Sequence, residues 1–314
     1  MLKFVKYAVL PLIVAAAVPA FAQKEDRSGW QVELKKLALN ATSTEVRYAK
    51  EYQGFPDARL TADSQTSLTG TFHGLADYYS QNWLWSNTLL MDYGRTRIRP
   101  VDGENLTNEN ADRILFTTGY TQRLWHANDF LGGFEAGPFA NIGYETEFTK
   151  LANSPRRKIY RGMLGAKLFD GNYLKALYAA VVGESDQTYN PSSEKLAWEA
   201  GLRLEAPMRE GVKAQFSALF RDYLHESRRQ CKSSAGQAAD LDYEFELDAR
   251  VEVQMFKEVY IAPFVNYYTA QGKYMGPRGE NVYVGVALSF SHIFKQAKVK
   301  SLVSKADLDK PAVK

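Results

Sequence analysis

A single cysteine, Cys231, stands in 314 residues, so no intramolecular disulfide holds this chain together, and the thiol reads as a loop residue. Long apolar runs are missing too. After residue 22, polar residues interrupt every hydrophobic stretch well short of the ~20 residues that a membrane-crossing helix needs. The charge balance of +3 leaves no basic surplus for a nucleic-acid partner. The four histidines form no cluster with cysteine, and no glycine-rich phosphate loop or nucleotide fingerprint is present. These absences exclude a disulfide scaffold and a helical membrane protein. They lead us to expect no cofactor, no metal and no catalytic centre.

Helical periodicity is as scarce as these motifs, and a two-residue period takes its place. In "LDYEFELDARVEVQM", residues 241–255, every odd position is apolar and every even one is charged or polar. Successive side chains of an extended chain point to opposite faces, so this is a strand with one apolar and one charged face. Such a strand suits a soluble sheet, with the charged face in water, or a transmembrane barrel, with the charged face lining a wet lumen.

The first residues, "MLKFVKYAVLPLIVAAAVPAFAQ", carry Lys3 and Lys6, a short apolar run and Ala20-Phe21-Ala22. They read as a secretory signal peptide over residues 1–22, removed from an exported chain. Beyond it, alternation and turn residues predict about 12 strands. They run over 30–40, 67–80, 83–98, 112–125, 130–148, 158–169, 172–183, 195–206, 212–225, 241–255, 259–270 and 281–294.

Short connections ("QN", "HAND", "DGN", "PMREG", "KE") alternate with long polar ones along the whole chain. A sandwich gives no reason for that order. An up-and-down antiparallel transmembrane β-barrel does, with short periplasmic turns and longer extracellular loops. Aromatic residues beside the short turns agree with an interfacial girdle: Tyr78, Tyr79, Trp83, Trp125, Phe130, Phe169, Tyr173, Phe256 and Tyr260. On this reading Leu241 and Phe245 face lipid. The candidate lumen-lining residues are Asp242, Glu244, Glu246, Asp248, Arg250, Arg221, Lys213 and Arg203, with Arg113, Arg123, Glu135, Glu145, Arg161, Lys167 and Glu199 on neighbouring strands.

Two features invite chemistry. "HES" places His225 and Ser227 two positions apart, the spacing of outer-membrane phospholipase A, in which an imidazole activates a hydroxyl. Here Arg228 and Arg229 follow where that motif has Asn-Gly. The loop "DGENLTNENAD" gathers Asp102, Glu104, Glu109 and Asp112, oxygen ligands that calcium accepts, but without EF-hand spacing.

"WLWSNTLLMDYGRTRI" and the following "TNENADRILFTTGYTQRLW" resemble a group of uncharacterised bacterial outer-membrane barrels of the salt-induced outer-membrane protein type. Trp83, Trp85, Asn87, Tyr93, Gly94 and Asp112 carry the resemblance, which implies a fold and a cell outer-membrane location but no reaction. The strand "NVYVGVALSFSHIF" ends at Phe294 and resembles the terminal strand that barrel-assembly machinery reads. The Lys-rich residues 295–314 are then expected to be a disordered periplasmic tail, after a barrel over 23–294. The expected protein is a narrow channel for small solutes or ions, or a structural barrel, in outer-membrane lipid. Its alternatives are a phospholipase-like hydrolase and a soluble exported β-rich binding protein.

Overall fold

The computed structural model describes residues 26–47, 51, 65–98, 106–127, 133–149, 155–188, 190–227, 241–273 and 276–300. The expected signal peptide, Cys231, Phe130, Asp102 and Glu104 lie outside them. The described strands are β1 (Asp26–Arg47), β2 (Gln65–Tyr79), β3 (Trp83–Ile98), β4 (Leu106–Gln122), β5 (Trp125–Ala127), β6 (Phe134–Thr146), β7 (Ile159–Phe169) and β8 (Leu174–Asp186). They continue with β9 (Ser193–Arg209), β10 (Val212–Glu226), β11 (Leu241–Phe256), β12 (Val259–Gly272), β13 (Gly279–Lys295) and β14 (Lys298–Lys300).

Each long strand pairs antiparallel with its sequence neighbour, β5 extends the β4 edge against β6, and β13 pairs with β1 to close the sheet. Closure removes both free edges, so every strand's backbone finds a partner without water. The result is a closed barrel of 12 long antiparallel strands. Each of those strands is at least 11 residues long, enough to cross a bilayer at a tilt.

One end of the barrel carries the short turns, the other the long connections. At the turn end, Gly211 (φ 70°) and Lys257 (φ 41°) take left-handed conformations in the two-residue loops after β9 and β11, as such hairpin loops require. Asp170 (φ 59°) does so at the start of the longer loop after β7. Gly171 N–H closes its turn on the Leu174 carbonyl at 3.0 Å, and Ser80 N–H closes another on Trp83 at 2.8 Å.

The faces divide as a membrane demands. Outward-facing Leu164 and Ile142 are 67% and 66% exposed, whereas inward-facing Glu199 and Glu184 are 2% and 5% exposed. A water-soluble protein is built the other way round. Outward rings gather at both ends. Near the turns, Trp30, Tyr78, Trp83 and Tyr120 touch in series at 5.3, 5.4 and 6.0 Å between centroids. Toward the loops lie Tyr144–Tyr160 (4.9 Å) and Trp198–Phe220–Tyr243 (5.2 and 6.0 Å). Two belts flanking an apolar band are what the two membrane–water interfaces select.

Several expectations need correction. Tyr79 and Phe169 are buried inside the turn end, and Tyr260 faces inward beneath Lys213 Nζ, 5.5 Å from its ring, so none of the three belongs to the girdle. A register shift between Leu241 and Tyr243 breaks the alternation of β11. Leu241 therefore turns in against Val182, Ala197 and Tyr223 instead of facing lipid. The first strand is longer than the 30–40 expected, and the segment 130–148 is described as a strand only from Phe134 to Thr146. The tail is not wholly disordered: Lys298, Val299 and Lys300 pair with Ser28, Arg27 and Asp26. Residues 301–314 lie outside the described ones.

Candidate functional site: the charged interior

Because every inward position comes from a two-residue period, adjacent strands bring their charges side by side at the distance of a cross-strand pair. A chain of polar contacts thereby passes from strand to strand around the interior. It begins on β1, where Asn40 Nδ2 donates to Thr71 Oγ1 at 3.0 Å, and Thr71 donates to Asp92 Oδ1 at 2.9 Å. Arg113 Nη2 on β4 donates to Asp92 at 3.1 Å. On β6, Glu145 accepts from Arg157 at 2.8 Å and Arg161 at 3.4 Å. Arg161 also donates to Glu184 at 2.7 Å, and Lys195 Nζ on β9 lies 3.4 Å from the same carboxylate. From Asp92 on β3 to Lys195 on β9, the sign alternates strand by strand.

A second knot lies beside it. Arg221 on β10 donates through Nε to Glu199 at 2.7 Å and through Nη1 to Glu244 at 2.6 Å. Tyr178 O–H completes Glu199 at 2.6 Å, and Tyr268 O–H completes Glu244 at 3.0 Å. Tyr178 reaches across β9 only because residue 201 is glycine: a Cβ there would overlap the tyrosine ring. A buried carboxylate must be met by charge and hydrogen bonds together, or its desolvation is uncompensated. Both carboxylates of this knot have that double support.

The sequence-predicted residues divide between two levels. Arg221 and Glu244 are locked in the knot. Nearer the turns, Asp248 pairs with Arg250 at 2.9 Å, and the guanidinium lies 5.5 Å from the Phe264 ring. Lys213 pairs with Glu252 at 3.0 Å. Glu246 accepts from Asn266 at 3.3 Å. Asp242 lies half-buried at the register shift of β11. Arg203 differs from all of these. It sits on the inward face between Ser217 and Ala176, is exposed, and makes no ion pair among the described residues.

Asp92, Glu184, Lys195, Tyr178 and Tyr268 escaped the sequence reading as interior partners. Counting from the two-residue turn Glu210-Gly211 alone would set Arg221 opposite Ala200. The register shift between Val212 and Lys213 moves it opposite Glu199, so turn spacing does not reveal such partners.

The His-x-Ser pair is not assembled as a nucleophile and base. Ser227 Oγ accepts from the Glu194 backbone N–H at 2.9 Å, and Ser227 N–H donates to the Glu194 carbonyl at 2.8 Å. His225 is exposed and opposite Leu196. Asp112, one of the four loop carboxylates, accepts from Phe148 N–H at 2.7 Å and Thr149 N–H at 3.0 Å. Among the described residues, no three His, Cys, Asp or Glu side chains come together as a metal site.

A closed antiparallel barrel with an apolar exterior, two aromatic belts and a charged interior defines the class of outer-membrane β-barrel proteins. Among solved structures, the chain is similar to an outer-membrane channel from Pseudomonas putida F1, with 11% identity, 87% of this chain and 100% of that one covered, and a TM-score of 0.43. It is similar to outer membrane phospholipase A from Escherichia coli, with 10% identity, 81% and 90% covered, and a TM-score of 0.42. The outer membrane channel DcaP of Acinetobacter baumannii is similar at 9% identity, 84% and 98% covered, and a TM-score of 0.40. Such likenesses concern the barrel architecture alone. No family model matches the chain, and no curated protein matches it.

Proposed function

We propose that this chain is a narrow conduit of the bacterial outer membrane, passing ions or small polar solutes, and not an enzyme. The turn end would then face the periplasm and the loop end the outside. The observation that carries the reading is Arg203: exposed on the inner face, it needs water or solute around it. The ion-pair chain from Asp92 to Lys195 and the Arg221 knot narrow the lumen toward the loop end and leave it nearly charge-balanced there. Selectivity would then rest on the charges nearer the turns, at Arg203, Lys213 and Asp248, following the logic of charge-lined pores. Membrane lipid would contact the apolar band, and barrel-assembly machinery would engage β13, whose outward Phe290, His292 and Phe294 rings touch in series, stacked at 6.3 Å and edge-on at 4.6 Å.

The test is current through the protein reconstituted in a planar lipid bilayer. Discrete, reproducible steps from the chain with or without residues 296–314 are expected. Verified insertion of both forms without any current would overturn the reading and leave a structural barrel.

A further inference from the structure

The short segment after β13 does not leave the barrel. Lys295 ends the last long strand, Gln296 is exposed, and Ala297 is then 6% exposed. Ala297 packs against Tyr79, Leu84 and Phe169. Those three side chains come from the inner face of the turn end: the last residue of β2, the second of β3 and the last of β7. β3 and β7 are separated around the wall by β4 and β6, so the cluster that Ala297 shares with Leu84 and Phe169 gathers residues from strands that are not neighbours.

The same opening is bordered by a buried ion pair. Arg123 is held by Glu135, donates to the Ser80 carbonyl at 2.8 Å, and lies 5.9 Å from the Tyr79 ring. Lys167 Nζ lies 5.0 Å from the Phe169 ring on its inner side. Rings and an arginine thus line the turn-end mouth where Ala297 is seated.

We propose that residues 295–300 form a lid over the turn-end mouth, seated by Ala297 and hinged on the pairing of β14 with β1. The chemistry favours a lid over a permanent wall. Three paired residues make a marginal strand in water, and an alanine buries little apolar area. The flanking Lys295 and Lys298 are exposed and stay solvated in either position. Local opening of so small a unit lies at the low end of a protein's stability range, while the 12-stranded wall stays closed. This device is additional to the proposed conduit: a lid can seat on a barrel that conducts nothing.

The test reads the seat directly. With Cys231 replaced by Ser, Leu84→Cys is introduced into the reconstituted full-length chain and reacted with a water-soluble maleimide. Slow labelling is expected. Removing residues 296–314, or placing Ala297→Asp in the full chain, is expected to speed it by about tenfold or more, the factor that ~1.4 kcal/mol of contact corresponds to. Equal rates in all three proteins would overturn the lid. If the shortened chain fails to assemble, Ala297→Asp alone decides. Labelling does not depend on current, so loss of the lid and loss of the conduit are separate results.

Discussion

Arg221 Nη1 lies 2.6 Å from Glu244 Oε1, across the antiparallel pair that the two residues form on β10 and β11. The same guanidinium holds Glu199 on its other side. One cation thus neutralises two carboxylates from two flanking strands, and fastens three strands of the wall from within.

Removing that cation leaves two buried acids facing each other. Arg221→Met is expected to destabilise the folded barrel by about 3–5 kcal/mol, the usual cost of stranding a buried charge. Denaturant unfolding in detergent micelles, followed by tryptophan fluorescence, measures it. Adding Glu199→Gln and Glu244→Gln to the same chain should recover most of the loss, because no buried charge is then unpaired.

Gly201 owes its identity to Tyr178. Gly201→Val is expected to push the ring off β9, unmake the Tyr178–Glu199 hydrogen bond, and cost about 1–3 kcal/mol by overpacking. Gly183, on the outward face, has open space where a Cβ would be. Gly183→Ala should leave the unfolding midpoint nearly unchanged. Comparing the two midpoints separates crowding inside from tolerance outside.

Leu164 is 67% exposed in the middle of β7, which in a bilayer places it against lipid tails. Leu164→Arg is expected to cost about 2–4 kcal/mol when folding is measured into lipid vesicles, as for a cation at the midplane. In detergent micelles, which deform around a charge, the penalty should shrink.

Alternation made the barrel readable before any coordinates. β11 announced its two faces, and the alternation of short and long connections fixed both the up-and-down order and the two ends. What alternation could not show was where it breaks. The shift at Leu241 depends on pairing with β12, a relation between distant residues. Tyr78 and Tyr79 look alike beside the same turn, but parity sends one ring out to the belt and its neighbour into the mouth. Most of the extra length of β1 lies in "ATSTEVR", whose weak hydropathy hides a strand supported by β13 and β2. The candidate interior residues were legible as a face. Their partners were not, because the register of Glu244 against Arg221 is set across a long connection that no local count can bridge. Ala297 carried no signal at all: only the Tyr79, Leu84 and Phe169 seat gives it meaning.

A wetted lumen running past Arg203 would set the barrel's ion preference, which reversal potentials under a salt gradient read out. Arg203→Glu removes no ion pair among the described residues, so the variant should fold and insert as the parent does. A shift of the reversal potential toward cations is expected in the same bilayer. An unchanged reversal potential, with normal insertion and current, would contradict a lumen running past Arg203.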